Sequence, residues 1–484
     1  MHKEFVINII ARLLLLVSAF MLAPLAWAIH DDPHSREVFA FLTTIGTGFL
    51  FSVWALGAVR LRKSNYEQIT IKDEFFVVGL SWIFLSLWGA LPLLLGRVVP
   101  SYTDAVFEIV SGFTTTGASI FKNVEILPRG ILFWRSLTNW LGGLGVVALF
   151  VALFPSIGVT SKRLYNFEAS GLEDNTLEGQ VRKTATFLWL IYTFFTVLAT
   201  VLLYGNGMPI FDSLCHAFGT IATGGFSTKN ASLGAYGPAI QWITIFIMII
   251  GGMNFSLYLS LLSGKSKKFF QNEEMRLYLL LLGSASVLCY FLLCVQDGAV
   301  ESARTVIFQV TSIMTTTGFA TTDYSLWPPA AHAVLLMLMF IGGCIGSTAG
   351  GLKVVRFLLL LKKSFWSVSQ ALYPHGIKCV RFNGVGLSED MIQSVLEYFT
   401  IYCGLFVAGI ILLLGFESCD LITAVSASIS ALSSIGPGLG MVGPAQNYAW
   451  LSIPSKWTLI FLMLAGRLEL YAILVLFIPA TWRK

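Results

Sequence analysis

The 484-residue sequence predicts an all-α polytopic membrane protein, and three observations carry that reading. Hydrophobic residues make up 56% of the chain and charged residues 12%, against about 45–50% and about 25% in ordinary globular domains. Mean hydropathy is +0.77, and apolar runs near the ~20 residues a membrane helix needs recur from one end of the chain to the other. Finally, one span–turn–span pattern occurs four times in the same orientation. Together these exclude a soluble enzyme and a disordered chain.

The first run, about 5–29, carries Lys3 and Arg12 on its leading side, and Ala26-Trp27-Ala28 imitates a signal-cleavage site. Everything downstream is equally apolar, so the run reads as a retained first span. Others follow at about 38–58, 75–95, 131–155, 186–204, 239–262, 277–295, 333–352, 395–415 and 457–480, which makes ten. With the N-terminus in the cytoplasm, 21 Lys and Arg fall inside and 8 outside, Arg12 and Arg467 lying within spans. That bias satisfies the positive-inside rule and places both termini in the cytoplasm. No basic block is long enough to suggest nucleic acid. The seven cysteines lie mostly in apolar segments without CxxC or metal-ligand spacing. They read as free packing residues, since a buried thiol behaves as a small hydrophobe.

The connections after spans three, five, seven and nine read SGFTTTGAS (111–119), GTIATGGFS (219–227), TSIMTTTGFA (311–320) and SALSSIGPG (430–438). Each runs from small hydroxyl residues into a glycine: Gly117, Gly224, Gly318, Gly436. About a dozen moderately apolar residues precede each, opened by a good N-cap type: Asp104, Asp212, Thr305 and Thr423. A small pair lies in each following span, at Gly142-Gly143, Gly251-Gly252, Gly342-Gly343 and Ala465-Gly466, at separations of 25, 27, 24 and 29 from the turn glycine. The unit is therefore span, half-helix, Thr/Ser-Gly turn, span. It divides the chain into two leading spans (1–66) and four repeats: 67–160, 161–265, 266–365 and 366–484.

A single Thr-Gly break in a membrane helix usually reflects close helix packing. Four on one membrane side need another explanation, because irregular backbone at membrane depth survives only where it is buried or lines a watery cavity. Glycine lets successive carbonyls turn inward, and a half-helix ending there aims its partial negative charge at the same space. Both favour a cation, and a ring of carbonyls replacing a hydration shell is how K⁺ filters work.

With the four turns, the run GGCIGSTAGGLKVVR (342–356) and AGRLELY (465–471), the chain resembles the potassium-uptake subunits of the Trk/Ktr/HKT superfamily, and in length and its two extra spans the bacterial TrkH/TrkG branch. The resemblance implies four M1–pore-loop–M2 repeats around a central K⁺ pore, a homodimer in the bacterial inner membrane, and gating by a cytosolic nucleotide-binding subunit, TrkA. Carried over, the filter is Thr115-Thr116-Gly117, Ala222-Thr223-Gly224, Thr316-Thr317-Gly318 and Ser434-Ile435-Gly436. Glycine in all four implies K⁺ rather than Na⁺. The fourth segment, with Ile435 and Pro437, departs most from the pattern.

Five glycines in ten residues (342, 343, 346, 350, 351), with Ser347 and Thr348 among them, weaken a helix by roughly 1 kcal/mol each. The stretch is expected to be an unwound gating loop beneath the filter, with Gly346, Ser347, Thr348 and Gly350 at its heart. Arg467 lies too deep in the tenth span to snorkel, and a central Arg is costly. Glu469 leaves the helix on another face, so Arg467 is expected to bind unwound carbonyls of 342–351 and latch the loop. His216 reads as a satisfied packing histidine. Asp104, Asp212 and Asp420 are expected near the outer mouth, as helix caps or as cation-enriching charges. The cytoplasmic stretches 161–185 and 353–393, the latter with Lys362, Lys363, Lys378 and Arg381, read as ordinary basic loops or as a docking surface.

Gly438–Gly443 matches GxGxxG without a preceding strand, no GxxxxGK[ST] loop occurs, and no catalytic motif or bound nucleotide is expected. The partners implied are K⁺, lipid, a second copy and the cytosolic subunit. The rival reading is a secondary carrier coupling K⁺ to H⁺ or Na⁺. Carriers usually show inverted repeats, whereas these four share one orientation.

Overall fold

The structure, a computed structural model, describes residues 3–59, 71–153, 177–264, 266–296, 303–372 and 379–482. The chain is an all-helical membrane protein, and the described residues depart from helix-and-loop structure only in one small hairpin. Among the described residues, six helices are long and apolar enough to cross a bilayer: Lys3–Asp31, Arg36–Ala58, Lys72–Leu95, Ala185–Gly205, Glu273–Val295 and Glu389–Phe416. Apolar side chains such as Leu50, Trp54, Leu190, Val287 and Ile411 are exposed on them, as expected of surfaces that meet lipid. Most of the expected stretch 161–185, and Lys378, fall outside the described residues.

Three expected spans are not continuous helices. The sixth bends by 93° between Pro238–Gly252 and Phe255–Leu262, where Asn254 Oδ1 accepts from Ser256 N at 2.8 Å and caps the second piece. The eighth stops at Ile341 because Gly342 takes φ +73°, and helix resumes only at Val354. The tenth stops at Arg467, after which Glu469 and Leu470 both take positive φ. In the eighth span the glycines take the positive φ at no steric cost, whereas in the tenth Glu469 and Leu470 adopt it against their side chains.

Four short helices, Tyr102–Phe113, Ile210–Ile221, Ala303–Met314 and Leu421–Ser433, are the expected half-helices. Their caps differ from expectation. Ser101 caps the first, accepting from Asp104 N at 3.1 Å, and Asp420 caps the fourth, accepting from Thr423 N at 3.2 Å. Pro209 opens the second, and Thr305 is the third residue of its helix. The capping side chain belongs to the residue directly before the helix and reaches an N–H two or three positions on, so Asp104, Asp212 and Thr423 sit in the first turn instead.

Arg381–Phe382 pairs antiparallel with Val385–Gly386. Asn383 and Gly384 at its tip both take positive φ, the geometry that an Asn-Gly hairpin turn requires. The hairpin joins Ile345, Val355, Leu359 and Met391 in a small apolar cluster of its own, which ties it to the loop between the two halves of the eighth span.

Candidate functional site

Each half-helix ends on the same turn. Just past the helix end one residue adopts a left-handed conformation, with φ near +52 to +56° at Thr115, Thr223, Thr316 and Ser434. Two residues later a glycine takes φ between +73 and +99°: Gly117, Gly225, Gly318 and Gly436. The residue between turns back onto its own half-helix: Thr116 N donates to Ser111 O at 2.8 Å, Gly224 N to Gly219 O at 2.7 Å, Thr317 N to Ser312 O at 2.8 Å and Ile435 N to Ser430 O at 2.9 Å.

This alignment corrects the second segment by one residue. The counterpart of Gly117, Gly318 and Gly436 is Gly225, and the segment is Thr223-Gly224-Gly225 rather than Ala222-Thr223-Gly224. Ala222 occupies the place of Thr114, Thr315 and Ser433, at the very end of the half-helix. Hydroxyl pattern alone pulled the register backward. The Gly-Phe step shared by Gly225-Phe226 and Gly318-Phe319 was the sequence signal for the other choice.

The four turns close on one another in cyclic order. A Cβ placed on Gly117 would collide with the Gly224 carbonyl oxygen, one on Gly225 with Thr317 O, one on Gly318 with Ile435 O and one on Gly436 with Thr116 O. Carbonyls of the middle residues thus ring a common centre, and no side chain fits between neighbouring walls. The negative ends of four half-helices converge there, each worth about half an elementary charge. Outside the ring lies a cavity of about 150 Å³, lined among others by Gly117, Gly225, Gly318, Gly436 and Tyr448.

Close backbone contact also explains the glycines of the following spans. A Cβ at Gly142 would strike Phe113 O, and one at Gly466 would strike Leu432 O; one at Gly251 would lie 3.3 Å from Ile221 O. These three carbonyls belong to equivalent residues at the ends of their half-helices. The third repeat differs: its Gly342 abuts Gly350 O and serves to fold the loop 342–353.

That loop lies against the half-helix ends, opposite the cavity. Gly350 N donates to Thr316 Oγ1 at 2.6 Å, and a Cβ on Gly350 would collide with Ser433 O. The Thr348 hydroxyl lies 2.9 Å from Ile221 O and 3.1 Å from Gly251 O. Ser347 Oγ donates to Cys344 O at 2.6 Å, and Gly346, at φ +68°, accepts at its carbonyl from Phe255 N at 3.0 Å. Arg467, only 3% exposed, donates from Nη1 to Thr348 O at 2.6 Å, while its Nε and Nη2 have no hydrogen-bond partner among the described residues. Glu469 turns away to Arg356, at 2.6 Å. Six segments from three repeats meet at this loop.

The first and third segments are braced by hydroxyl pairs, Thr114–Thr116 and Thr315–Thr317, both at 2.8 Å. In the fourth, Ile435 offers no hydroxyl, and Gly436 O instead accepts from Ser430 Oγ at 2.8 Å and Tyr448 OH at 2.6 Å. Sequence reasoning passed over that tyrosine, and also a buried ion pair. Arg135 Nε donates to Glu108 Oε1 at 2.7 Å, with exposures of 2% and 0% for the two side chains. Glu108 further accepts from Ser119 Oγ and Ile120 N, and the Arg135 guanidinium lies 4.3 Å from the Phe226 ring. The pair thus holds the outgoing strand of the first turn against that of the second.

Other expected residues are placed more simply. His216 is buried with both ring nitrogens engaged, 2.7 Å from Asp212 O and 2.9 Å from Ser227 Oγ. Asp104 is paired with Lys456 Nζ at 2.7 Å and is not a free cation-enriching charge, and Asp212 accepts from Thr228 Oγ1 at 2.6 Å. Lys362 pairs with Glu273, and Lys363 with Glu389 at 3.0 Å, which occupies two of the lysines considered for docking. Cys294 and Cys379 are exposed rather than packed.

Residues 43–484 match the TrkH family, described as cation transport protein. The Trk system potassium uptake protein TrkH of Escherichia coli K12 is 36% identical over 494 residues, covering all of both chains. TrkG of the same strain is 32% identical over 490 residues, covering 100% of this chain and 99% of the relative. The crystal structure of the potassium transporter TrkH from Vibrio parahaemolyticus superposes with a TM-score of 0.90 at 33% identity, with full coverage of both chains.

Proposed function

The chain belongs to the TrkH family of cation transport proteins and is not an enzyme; from that premise we propose that it takes up K⁺ through a single-chain, four-repeat pore. The observation that carries this reading is the cyclic contact of Gly117, Gly225, Gly318 and Gly436 with their neighbours' carbonyls. A ring of carbonyls at the negative ends of four half-helices replaces the hydration shell of a monovalent cation and repels anions. The filter of this reading is Thr115-Thr116-Gly117, Thr223-Gly224-Gly225, Thr316-Thr317-Gly318 and Ser434-Ile435-Gly436. Loop 342–353 is the gate, since its contacts with Thr316, Ile221 and Ser433 put it across the route an ion leaving the ring would take.

The same reading places the chain in the bacterial inner membrane with both termini cytoplasmic, as a homodimer gated by a cytosolic nucleotide-binding subunit. These rest on the charge bias and the family resemblance. The test is flux into liposomes holding the purified protein. Electrodiffusive K⁺ entry that exceeds Na⁺ entry and follows the K⁺ gradient supports a pore. Flux strictly tied to H⁺ or Na⁺ at fixed stoichiometry would replace the pore with a symporter.

A further inference from the structure

Position 224 is where the second segment differs from the others. Its counterparts Thr116 and Thr317 carry the hydroxyls that brace the first and third segments, and Ile435 fills the same position in the fourth, fully buried. In the second segment both brace partners are gone, since Ala222 stands in place of the first threonine and Gly224 in place of the second. Gly224 does not have a positive φ, so its backbone would accept a threonine.

A side chain from another helix takes that space. A Cβ on Gly224 would lie 2.5 Å from Asn139 Cγ and 2.6 Å from Asn139 Nδ2. Asn139 comes from helix Arg129–Leu153, and one turn further along that helix a Cβ on Gly143 would lie 2.9 Å from Ala222 Cα. Asn139 is fully buried, yet neither Oδ1 nor Nδ2 has a hydrogen-bond partner among the described residues. A buried carboxamide without partners is costly, and packing alone would be served by leucine. The polar group is therefore retained for what it presents to the back of the second segment.

We propose that Asn139 is a positioning residue for ion selection, its carboxamide packing from a neighbouring helix against Gly224 in the space that the Thr–Thr pairs fill in the first and third filter segments. The inference rests on the four-segment filter reading. It makes the second wall the one whose ion-facing carbonyl, that of Gly224, is tuned by a side chain outside its own repeat unit's turn.

The experiment measures K⁺/Na⁺ flux ratios in liposomes for the full-length protein and for Asn139→Ala, Asn139→Leu, the combined Asn139→Ala/Ala222→Thr/Gly224→Thr, and Gly117→Ser. Asn139→Ala and Asn139→Leu should each lower the ratio about tenfold, equivalent to ~1.4 kcal/mol, although leucine refills the volume. The combined variant rebuilds the hydroxyl pair in place of the amide and should recover most of the loss. An unaltered ratio in a well-folded Asn139→Leu protein, alongside a lowered ratio in Gly117→Ser, overturns the role of Asn139 and leaves the filter reading standing. An unaltered ratio in both overturns the filter reading and the inference with it. If the combined variant does not fold, the alanine and leucine variants still decide.

Discussion

Replacing Arg467 with alanine isolates the contact between the tenth span and the loop beneath the ring. The guanidinium is 3% exposed and makes one hydrogen bond among the described residues, from Nη1 to Thr348 O at 2.6 Å. A hydrogen bond from a charged donor contributes roughly 1.5–3 kcal/mol. Thr348 also binds Ile221 O and Gly251 O through its hydroxyl, so the loop keeps those ties when Arg467 is removed and the fold survives. The closed arrangement alone loses the arginine bond. At about tenfold per 1.4 kcal/mol, the open-to-closed ratio should rise roughly ten- to hundredfold. A cation also leaves the space below the ring, which lowers the barrier to K⁺ in the same direction. The assay is basal K⁺ flux into liposomes without any regulatory subunit, together with a melting curve in detergent. A folded Arg467→Ala protein with unchanged or lower flux would show that Arg467 only ties two helices together, and the latch would be abandoned.

Gly117→Ser should lower the K⁺/Na⁺ flux ratio in a folded protein, because its Cβ would collide with Gly224 O and tilt that wall; an unchanged ratio removes Gly117 from the filter. Gly225→Ala should damage selectivity more than Gly224→Ala. Gly225 holds φ +73° and abuts backbone, where a left-handed non-glycine residue costs about 1–2 kcal/mol, whereas position 224 meets only the Asn139 side chain; equal effects would contradict the revised register. Gly350→Ala presses on Ser433 O and should change open probability while leaving the ion preference alone, as single-channel or flux measurements at fixed ion ratio would reveal. Arg135→Leu strands the buried Glu108 carboxylate, a loss of about 3–5 kcal/mol; its melting midpoint should fall clearly below that of the combined Glu108→Leu/Arg135→Leu variant, and coincident midpoints would mean the pair is not a unit.

Composition and periodicity decided the class of molecule. A chain with 12% charged residues and recurring apolar runs has no stable soluble form, and four Thr/Ser-Gly turns in one orientation leave few uses besides lining a common cavity. The left-handed φ of Thr115, Thr223, Thr316 and Ser434 was implicit in turns that had to reverse direction directly after a helix. The Asn383-Gly384 hairpin was equally readable from its dipeptide. What local pattern could not decide was register and depth. Thr223 and Gly224 fit the hydroxyl-glycine pattern one residue early, the shared Gly-Phe step favours the later glycine, and the collision of Gly225 with Thr317 O shows which of the two faces the next wall. A contact between walls some 90 residues apart leaves no mark on either segment alone.

The bend after Gly252 and the break at Arg467 show the same limit, whereas the unwinding after Ile341 was expected from its glycines. The sixth and tenth spans are apolar enough for hydropathy to carry them across the bilayer, because hydropathy counts transfer cost and is blind to where a backbone must yield to a neighbour. The charges tell it again: Arg135, Lys456 and Asp104 read as outer-loop charges, and packing turned them into buried or shielded pairs. Sequence by itself determined the solvent, the repeat and the chemistry of the turns, since these are set by residue type at short spacing. Tertiary structure alone decided which carbonyls meet, where the helices stop and what Asn139 replaces, because each depends on close approach between segments distant in sequence.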